Sequence, residues 1–158
     1  MKNLNNLPLR LGVGIVLLNK KNSIFVGKRI DNAKNFWQMP QGGVDNNENL
    51  FEAAKRELEE ETSIKSTELI KELDFWLEYD LPDSLLGKIW KGKYRGQKQK
   101  WFIMKFTGEN AEININTKNP EFLEWKWINP SKLTDSVVHF KHHVYKKIKQ
   151  ELKSLNLI

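Results

Sequence analysis

With 158 residues, 39% of them hydrophobic and six Trp and eight Phe among them, the chain can fill one core, is too short for two comfortable domains and is too apolar for disorder. It has no cysteine, which excludes disulfides and thiolate metal sites and fits a reducing cytoplasm. Its net charge of +6 suits a polyanionic partner, although the same excess also serves plain solubility. We read residues 1–158 as a single domain.

Met1 to Leu9 is polar and punctuated by Pro8, and residues 1–8 read as flexible. The apolar run Leu11 to Leu18 is too short to span a bilayer and lacks a basic leader and a cleavage site, so it reads as a buried central strand with no membrane partner. Asn19 to Asn22 predicts a turn and Ser23 to Lys28 a second strand, together a hairpin. Arg29, Asp31, Asn32 and Lys34 form a polar loop in which Arg29 is placed to reach a phosphate. Trp37 and Met39 then read as core residues ahead of the Gly42-Gly43 turn.

Gln41 to Ile64 organises the rest. After the polar turn Val44 to Asn47, with Asn46 or Asn47 as N-cap, Ala53, Ala54, Leu58 and many Glu and Lys residues favour helix. Phe51, Ala54 and Leu58 form an apolar stripe. Glu57, Glu60 and Glu61 fall within an adjacent arc roughly 100° wide, at the rim of the core. Such carboxylates repel one another and would take up protons unless a cation joined them, a hard ion such as Mg²⁺ or Mn²⁺ being the natural partner. A solvated acidic face is the plain alternative. The Gly-Gly turn counts against it, because it can offer a bare backbone carbonyl to the same ion.

Beyond the helix, Glu68 to Tyr79 reads as a strand with Leu69, Leu73, Phe75 and Leu77 as possible core positions. Leu81 to Gly96 is a loop in which Lys88, Lys91, Lys93 and Arg95 interleave with Trp90 and Tyr94. That mixture can bind a nucleotide by stacking and phosphate contact, or be a solvated loop with a Trp anchor. Gln97 to Lys100 opens a strand running to Phe106. Gly108 to Asn119 is loop-like, and Leu123 to Ile128 alternates as a strand. From about Val137 to Leu155 a basic amphipathic helix is expected, with Val144, Ile148 and Leu152 inward and Lys141, His142 and Lys146 on other faces. Alternating strands with two amphipathic helices predict an α/β layered fold.

Gly42, Glu48, Arg56-Glu57-Leu58, Glu60-Glu61 and Ile64 match the spacing G-x5-E-x7-R-E-U-x-E-E-x-G-U, where U is bulky and aliphatic, and residues 42–64 resemble the Nudix box. Ser63 alone departs from it, standing where the family has a glycine that takes a left-handed conformation at the helix exit. PQGG before the box, GQKQKWF at Gly96 to Phe102, Pro120-Glu121-Phe122 and Val137 to Tyr145 further resemble the bacterial RNA pyrophosphohydrolase branch, also described as dinucleoside polyphosphate hydrolases.

The resemblance implies the Nudix fold, a mixed β-sheet sandwiched between α-helices. It implies Mg²⁺ or Mn²⁺, two or more ions, held by the Gly42 carbonyl, Glu57, Glu60, Glu61 and Glu121. It makes Glu57 and Glu121 the candidates for general base, Arg56 the residue that orients a box glutamate, and Glu48 and Gly43 supporting residues. Arg10, Lys98 and Lys141 align with phosphate- or RNA-contacting positions, and Tyr79 and Phe140 with base-contacting ones. The implied reaction removes pyrophosphate from the 5′-triphosphate end of RNA, the first step in decay of a message. Asymmetric cleavage of diadenosine tetraphosphate to ATP and AMP is the alternative, and a nucleotide- or RNA-binding module without catalysis is the rival of another class. DNA is not an expected partner.

Overall fold

The apolar run becomes the middle of the sheet. Strand β1 (Leu9–Leu18) has seven consecutive buried residues from Gly12 onward, as a strand covered on both faces must. In the computed structural model, which describes residues 4–31 and 35–158, β1 lies between β2 (Ile24–Arg29) and β6 (Gly96–Phe106). It pairs antiparallel with β2 and parallel with β6, in register from Leu9 opposite Gly96 to Leu18 opposite Lys105. The sheet is therefore mixed. β3 (Trp37–Gln38) and β7 (Phe122–Ile128) pair with β2, β4 (Gln41–Gly43) pairs with β1, and β5 (Thr67–Asp80) forms the edge beside β6.

Alternation along the central strands divides the core in two. Val13, Ile15 and Leu17 with Phe25, Phe102 and Met104 meet Ala53, Ala54 and Leu58 of helix α1 (Leu50–Thr62). Val16, Leu18, Val26, Trp101 and Ile103 meet Val144, Tyr145, Ile148 and Leu152 of helix α2 (His142–Ser154) on the opposite face. Helix, sheet and helix thus form the layers expected. Each apolar stripe gains only when pressed on the sheet; truncating the fully buried Leu58 to Ala would cost about 2–5 kcal/mol. Among the described residues no helix is long and apolar enough to cross a membrane.

Several boundaries differ from the reading of the sequence. The N-cap of α1 is Asn49, not Asn46 or Asn47: Asn47 is left-handed (φ 64°) inside the turn, while Asn49 is extended and its Oδ1 accepts from the Phe51 and Glu52 amides. Helix α2 begins at His142, not near Val137, because Val138 is extended and His139–Lys141 form a 3-10 turn. Leu69 is exposed. β5 shifts register against β6 between Leu69 and Lys71 and again between Glu72 and Trp76, so its alternation is not continuous, although Leu73 is buried. Leu4–Asn6 form a 3-10 turn, and the Pro8 carbonyl accepts a backbone hydrogen bond from Arg95. The first three residues, with Asn32 and Lys34, lie outside the described residues.

Ser63 takes the left-handed conformation (φ 67°) that the motif reserves for glycine. Its hydroxyl donates to the Asn114 carbonyl at 2.8 Å, and Glu112 accepts from the Lys65 and Ser66 amides and the Ser66 hydroxyl. The loop that carries Glu121 is thereby fastened to the exit of α1.

Candidate active site

A cavity of about 1590 Å³ opens where β4, the side of α1, the ends of β1 and β5, and the segment ahead of α2 converge. Most of the residues singled out in the sequence line it. Gly42 and Gly43 enter from β4, Glu57, Glu60 and Glu61 from α1, and Glu121 from the start of β7's approach. Arg10, Arg29, Tyr79, Phe140 and Lys141 form the other walls.

Arg56 ties the acidic side together. Its Nε and Nη2 donate to the two oxygens of Glu48 at 2.8 and 2.9 Å. Nη1 donates to Glu57 at 2.9 Å and to Glu60 at 3.2 Å, and Nη2 also reaches the Gly43 carbonyl at 3.0 Å. One planar fork therefore fixes the helix to the Gly-Gly turn, which a lysine point charge would not do. Paired this way, the Glu48 carboxyl is held down to about 2, with Arg56 as the main cause.

Glu57 and Glu61 go the other way. Burial raises the Glu57 carboxyl, helped by Glu60 and opposed by Arg56 and Arg10. Glu61 is buried (6% exposed), and burial, with the charges of Glu57 and Glu121, pushes it well above the usual carboxylate range. Its Oε2 has no hydrogen-bond partner among the described residues. A buried carboxylate oxygen without a partner is costly. Glycine at 42 is what lets Glu57 fold in here, since a Cβ would overlap its carboxylate. Glu121 is placed by its backbone carbonyl, which accepts from Ile30, and its Oε2 lies 3.6 Å from Arg29.

Among the described residues no three acidic side chains already stand at metal-binding separation; Arg56 holds Glu57 and Glu60 instead. The donors nonetheless fit a hard divalent cation. They are all oxygens, and the partnerless Glu61 oxygen faces two further carboxylates whose charges a cation would offset.

The basic wall is layered with aromatics. Lys141, which the resemblance aligns with a phosphate- or RNA-contacting position, is 6% exposed, lies over the Tyr79 and Phe140 rings at 5.3 and 5.9 Å, and donates to Gln38 at 3.3 Å. Burial lowers its ammonium to about 7, and Arg29 adds to this against Glu61 and Asp31. Tyr79 stands 5.6 Å from Phe140, and burial pushes its hydroxyl up to about 12. Arg29 is forked by Asp31 at 2.8 and 2.7 Å. Lys98 is not brought to the cavity: it is exposed and lies over Trp76, 5.0 Å from the ring centroid.

The sequence reading did not single out a buried amide ladder beneath the cavity. Tyr79 donates to Gln97 at 3.0 Å, Gln99 donates to Gln97 at 2.7 Å and to Gln41 at 3.0 Å, and Trp101 donates to Gln99 at 3.2 Å. Its signal was present: Gln97, Gln99 and Trp101 share one face of a strand by period two. Trp37, read as core, also lines the cavity.

The sequence pattern of the NUDIX domain matches residues 8–150. An RNA pyrophosphohydrolase of Pelagibacter ubique (strain HTCC1062) is 67% identical over 150 residues, 95% of either chain. One from Orientia tsutsugamushi (strain Boryong) is 45% identical over 151 residues, 96% of this chain and 94% of that one. Among solved structures, the E. coli dihydroneopterin triphosphate pyrophosphohydrolase superposes with a TM-score of 0.70 at 20% identity, covering 91% of this chain and 99% of that one. A C. elegans Ap4A hydrolase in a binary complex gives 0.63 at 17%, covering 90% and 98%. At such identities the likeness concerns the fold. With the domain pattern running through nearly the whole chain and a relative two-thirds identical across it, the chain belongs to the Nudix family of hydrolases, enzymes that generally depend on a divalent metal ion.

Proposed function

We propose that the chain removes pyrophosphate from the 5′-triphosphate end of RNA, leaving a 5′-monophosphate. Relatives of nearly equal length carry the name of that activity, and the cavity sets a basic, aromatic wall opposite a carboxylate cluster. The observation that carries the reading is the buried Glu61 oxygen without a partner beside Glu57 and Glu121, inside a cavity that also holds Arg10, Arg29 and Lys141.

Mg²⁺ or Mn²⁺, two or more ions, would be held by Glu57, Glu60, Glu61, Glu121 and the Gly42 carbonyl, and would act as a Lewis acid that offsets charge on the phosphates. Arg10, Arg29 and Lys141 bind the remaining phosphate oxygens, and the Tyr79–Phe140 pair receives a base. Arg56 keeps Glu57 and Glu60 on the cavity side of α1. Water attacks a phosphorus atom, the anhydride P–O bond breaks, and Glu57 or Glu121 takes up the proton of the water. We place the reaction in the cytoplasm, where new transcripts carry the triphosphate.

The test is a panel of triphosphorylated RNA, diadenosine tetraphosphate and nucleoside triphosphates with Mg²⁺ and Mn²⁺, products identified. Pyrophosphate or successive phosphates with monophosphorylated RNA are expected at the highest kcat/KM. Replacing Glu57 by Gln is expected to lower kcat by at least about a hundredfold with the fold intact. Preference for the dinucleotide, or full activity in the Glu57 variant, defeats the reading.

A further inference from the structure

Of the four arginines, Arg29, Arg56 and Arg95 sit in ion pairs. Arg10 pairs with no carboxylate among the described residues. Its guanidinium carbon lies 5.3 Å from the centroid of the Trp90 ring instead, and its Nη2 rests on Gly43 so closely that a Cβ there would overlap it. Glu57 is near enough for the charge of Arg10 to oppose the rise of its carboxyl. An arginine on a flexible stem beside a partly buried carboxylate would ordinarily close onto it. Here the indole and the glycine hold it apart.

The backbone around Trp90 is shaped for this. Trp90 (φ 51°), Lys91 (φ 57°) and Gly92 (φ 69°) are three consecutive left-handed residues, a conformation that Trp and Lys adopt only under constraint from their surroundings. The Gly92 amide donates to the Ile89 carbonyl at 2.9 Å, and Tyr94 meets the Trp90 ring edge-on at 6.3 Å. The Arg95 amide donates to the Pro8 carbonyl at 3.0 Å, which ties the end of this loop to the chain two residues before Arg10. Both the indole and the guanidinium line the cavity.

We propose that Trp90 is a positioning residue of the phosphate site: its indole holds the Arg10 guanidinium against Gly43 and off Glu57, where it meets the incoming polyphosphate. The inference rests on the function proposed above, in which Arg10 takes a phosphate oxygen. It also accounts for the aromatic and basic loop: Trp90 serves the cavity through the cation it carries. Cation–π contact is strongest on indole and persists on a phenyl ring, so Phe at this position keeps the function and an aliphatic residue does not.

The experiment is a double-mutant cycle on a triphosphorylated oligoribonucleotide, with KM and kcat measured separately. Trp90→Leu is expected to raise KM about tenfold with kcat within about twofold, and Trp90→Phe to stay within about threefold of the native KM. In an Arg10→Gln background, Trp90→Leu is expected to change KM by less than about twofold, since there is no longer a guanidinium to place. An unchanged KM in Trp90→Leu, an equal loss in the Arg10→Gln background, or a Phe variant as impaired as the Leu variant overturns the role. Should Trp90→Leu not fold, as judged by circular dichroism, Trp90→Met takes its place in the cycle. A native chain that leaves the triphosphate intact overturns the proposed function. An active native chain with an uncoupled cycle overturns the role of Trp90 alone.

Discussion

Arg56 grips Glu48 through two nitrogens, Nε to Oε2 at 2.8 Å and Nη2 to Oε1 at 2.9 Å, across eight residues of chain that include the start of α1. Glu48 is itself oriented, accepting from the Asp45 amide at 3.0 Å. This grip decides how far Arg56 leans toward Glu57 and Glu60. Glu48→Gln keeps the shape and removes the charge, so the guanidinium shifts its hydrogen bonding to the cluster and competes with any cation there. Partners one step removed from a metal site typically cost 10–100-fold on substitution. Glu48→Gln is therefore expected to weaken Mn²⁺ binding about tenfold in titration calorimetry, with a native circular dichroism spectrum. Unchanged Mn²⁺ affinity would show that Glu48 only shapes the turn.

Glu61 predicts a pH dependence of stability. Its folded carboxyl titrates well above its unfolded one, so between the two the folded state holds more protons. Stability from this group is present below the unfolded value and is lost as pH rises through the folded one. In EDTA, raising the pH from about 5 to about 8 is expected to lower Tm more in the native chain than in Glu61→Gln. Mg²⁺ or Mn²⁺ should then raise Tm, increasingly so at the higher pH, because binding requires the charged form. Parallel melting curves for the two proteins, with and without metal, would remove Glu61 from the site.

The box was legible because it is local. Gly42, Glu48, Arg56, Glu57, Glu60 and Glu61 lie within one turn and one helix, where spacing alone sets direction; all but Glu48 line one cavity, and Glu48 is tied to it through Arg56. The exit at Ser63 was less readable, since serine departs from the motif's glycine there, yet it takes the same left-handed conformation. What spacing could not show depends on distant chain. Helical periodicity alone puts Lys141 only on a face away from Val144, Ile148 and Leu152, yet the 3-10 turn before α2 carries it inward over Tyr79 and Phe140, where Gln38 accepts from it. The placing of Arg10 on Trp90 joins the start of β1 to a loop some eighty residues on. The exposure of Leu69 follows from bulges that no alternation pattern announces.

Gly42 predicts a steric lesion confined to the site. A methyl group there would overlap the carboxylate of Glu57, which sits on the backbone of the Gly-Gly turn. The strand pairing of Gly42 with Val13 leaves the backbone little room to retreat. Gly42→Ala is expected to turn Glu57 away, lowering kcat/KM by about a hundredfold, while Tm falls by a few degrees at most. Wild-type turnover in Gly42→Ala would mean that Glu57 need not occupy this place.

Lys141 predicts the opposite slope to Glu61, over a different window. Its folded ammonium titrates at about 7, chiefly through burial and then through Arg29, against the ordinary 10.5 of an unfolded lysine. Between those values the unfolded chain holds more protons, so stability rises with pH from about 7 to about 10.5. Below about 7 the folded protein carries a charged amine among the Tyr79 and Phe140 rings with Gln38 as its hydrogen-bonding partner, and the penalty is complete. Lys141→Met removes the charge and keeps the stem. It is expected to raise Tm most at about pH 6, with the gain shrinking toward about pH 10. The same variant should bind triphosphorylated RNA more weakly at about pH 6 than the native chain, since the polyphosphate loses a cation that it would otherwise keep protonated. Scanning calorimetry across the pH range, paired with KM at each end, reads both effects; a Tm difference that does not change with pH would mean that Lys141 titrates in the folded state as it does in the unfolded one.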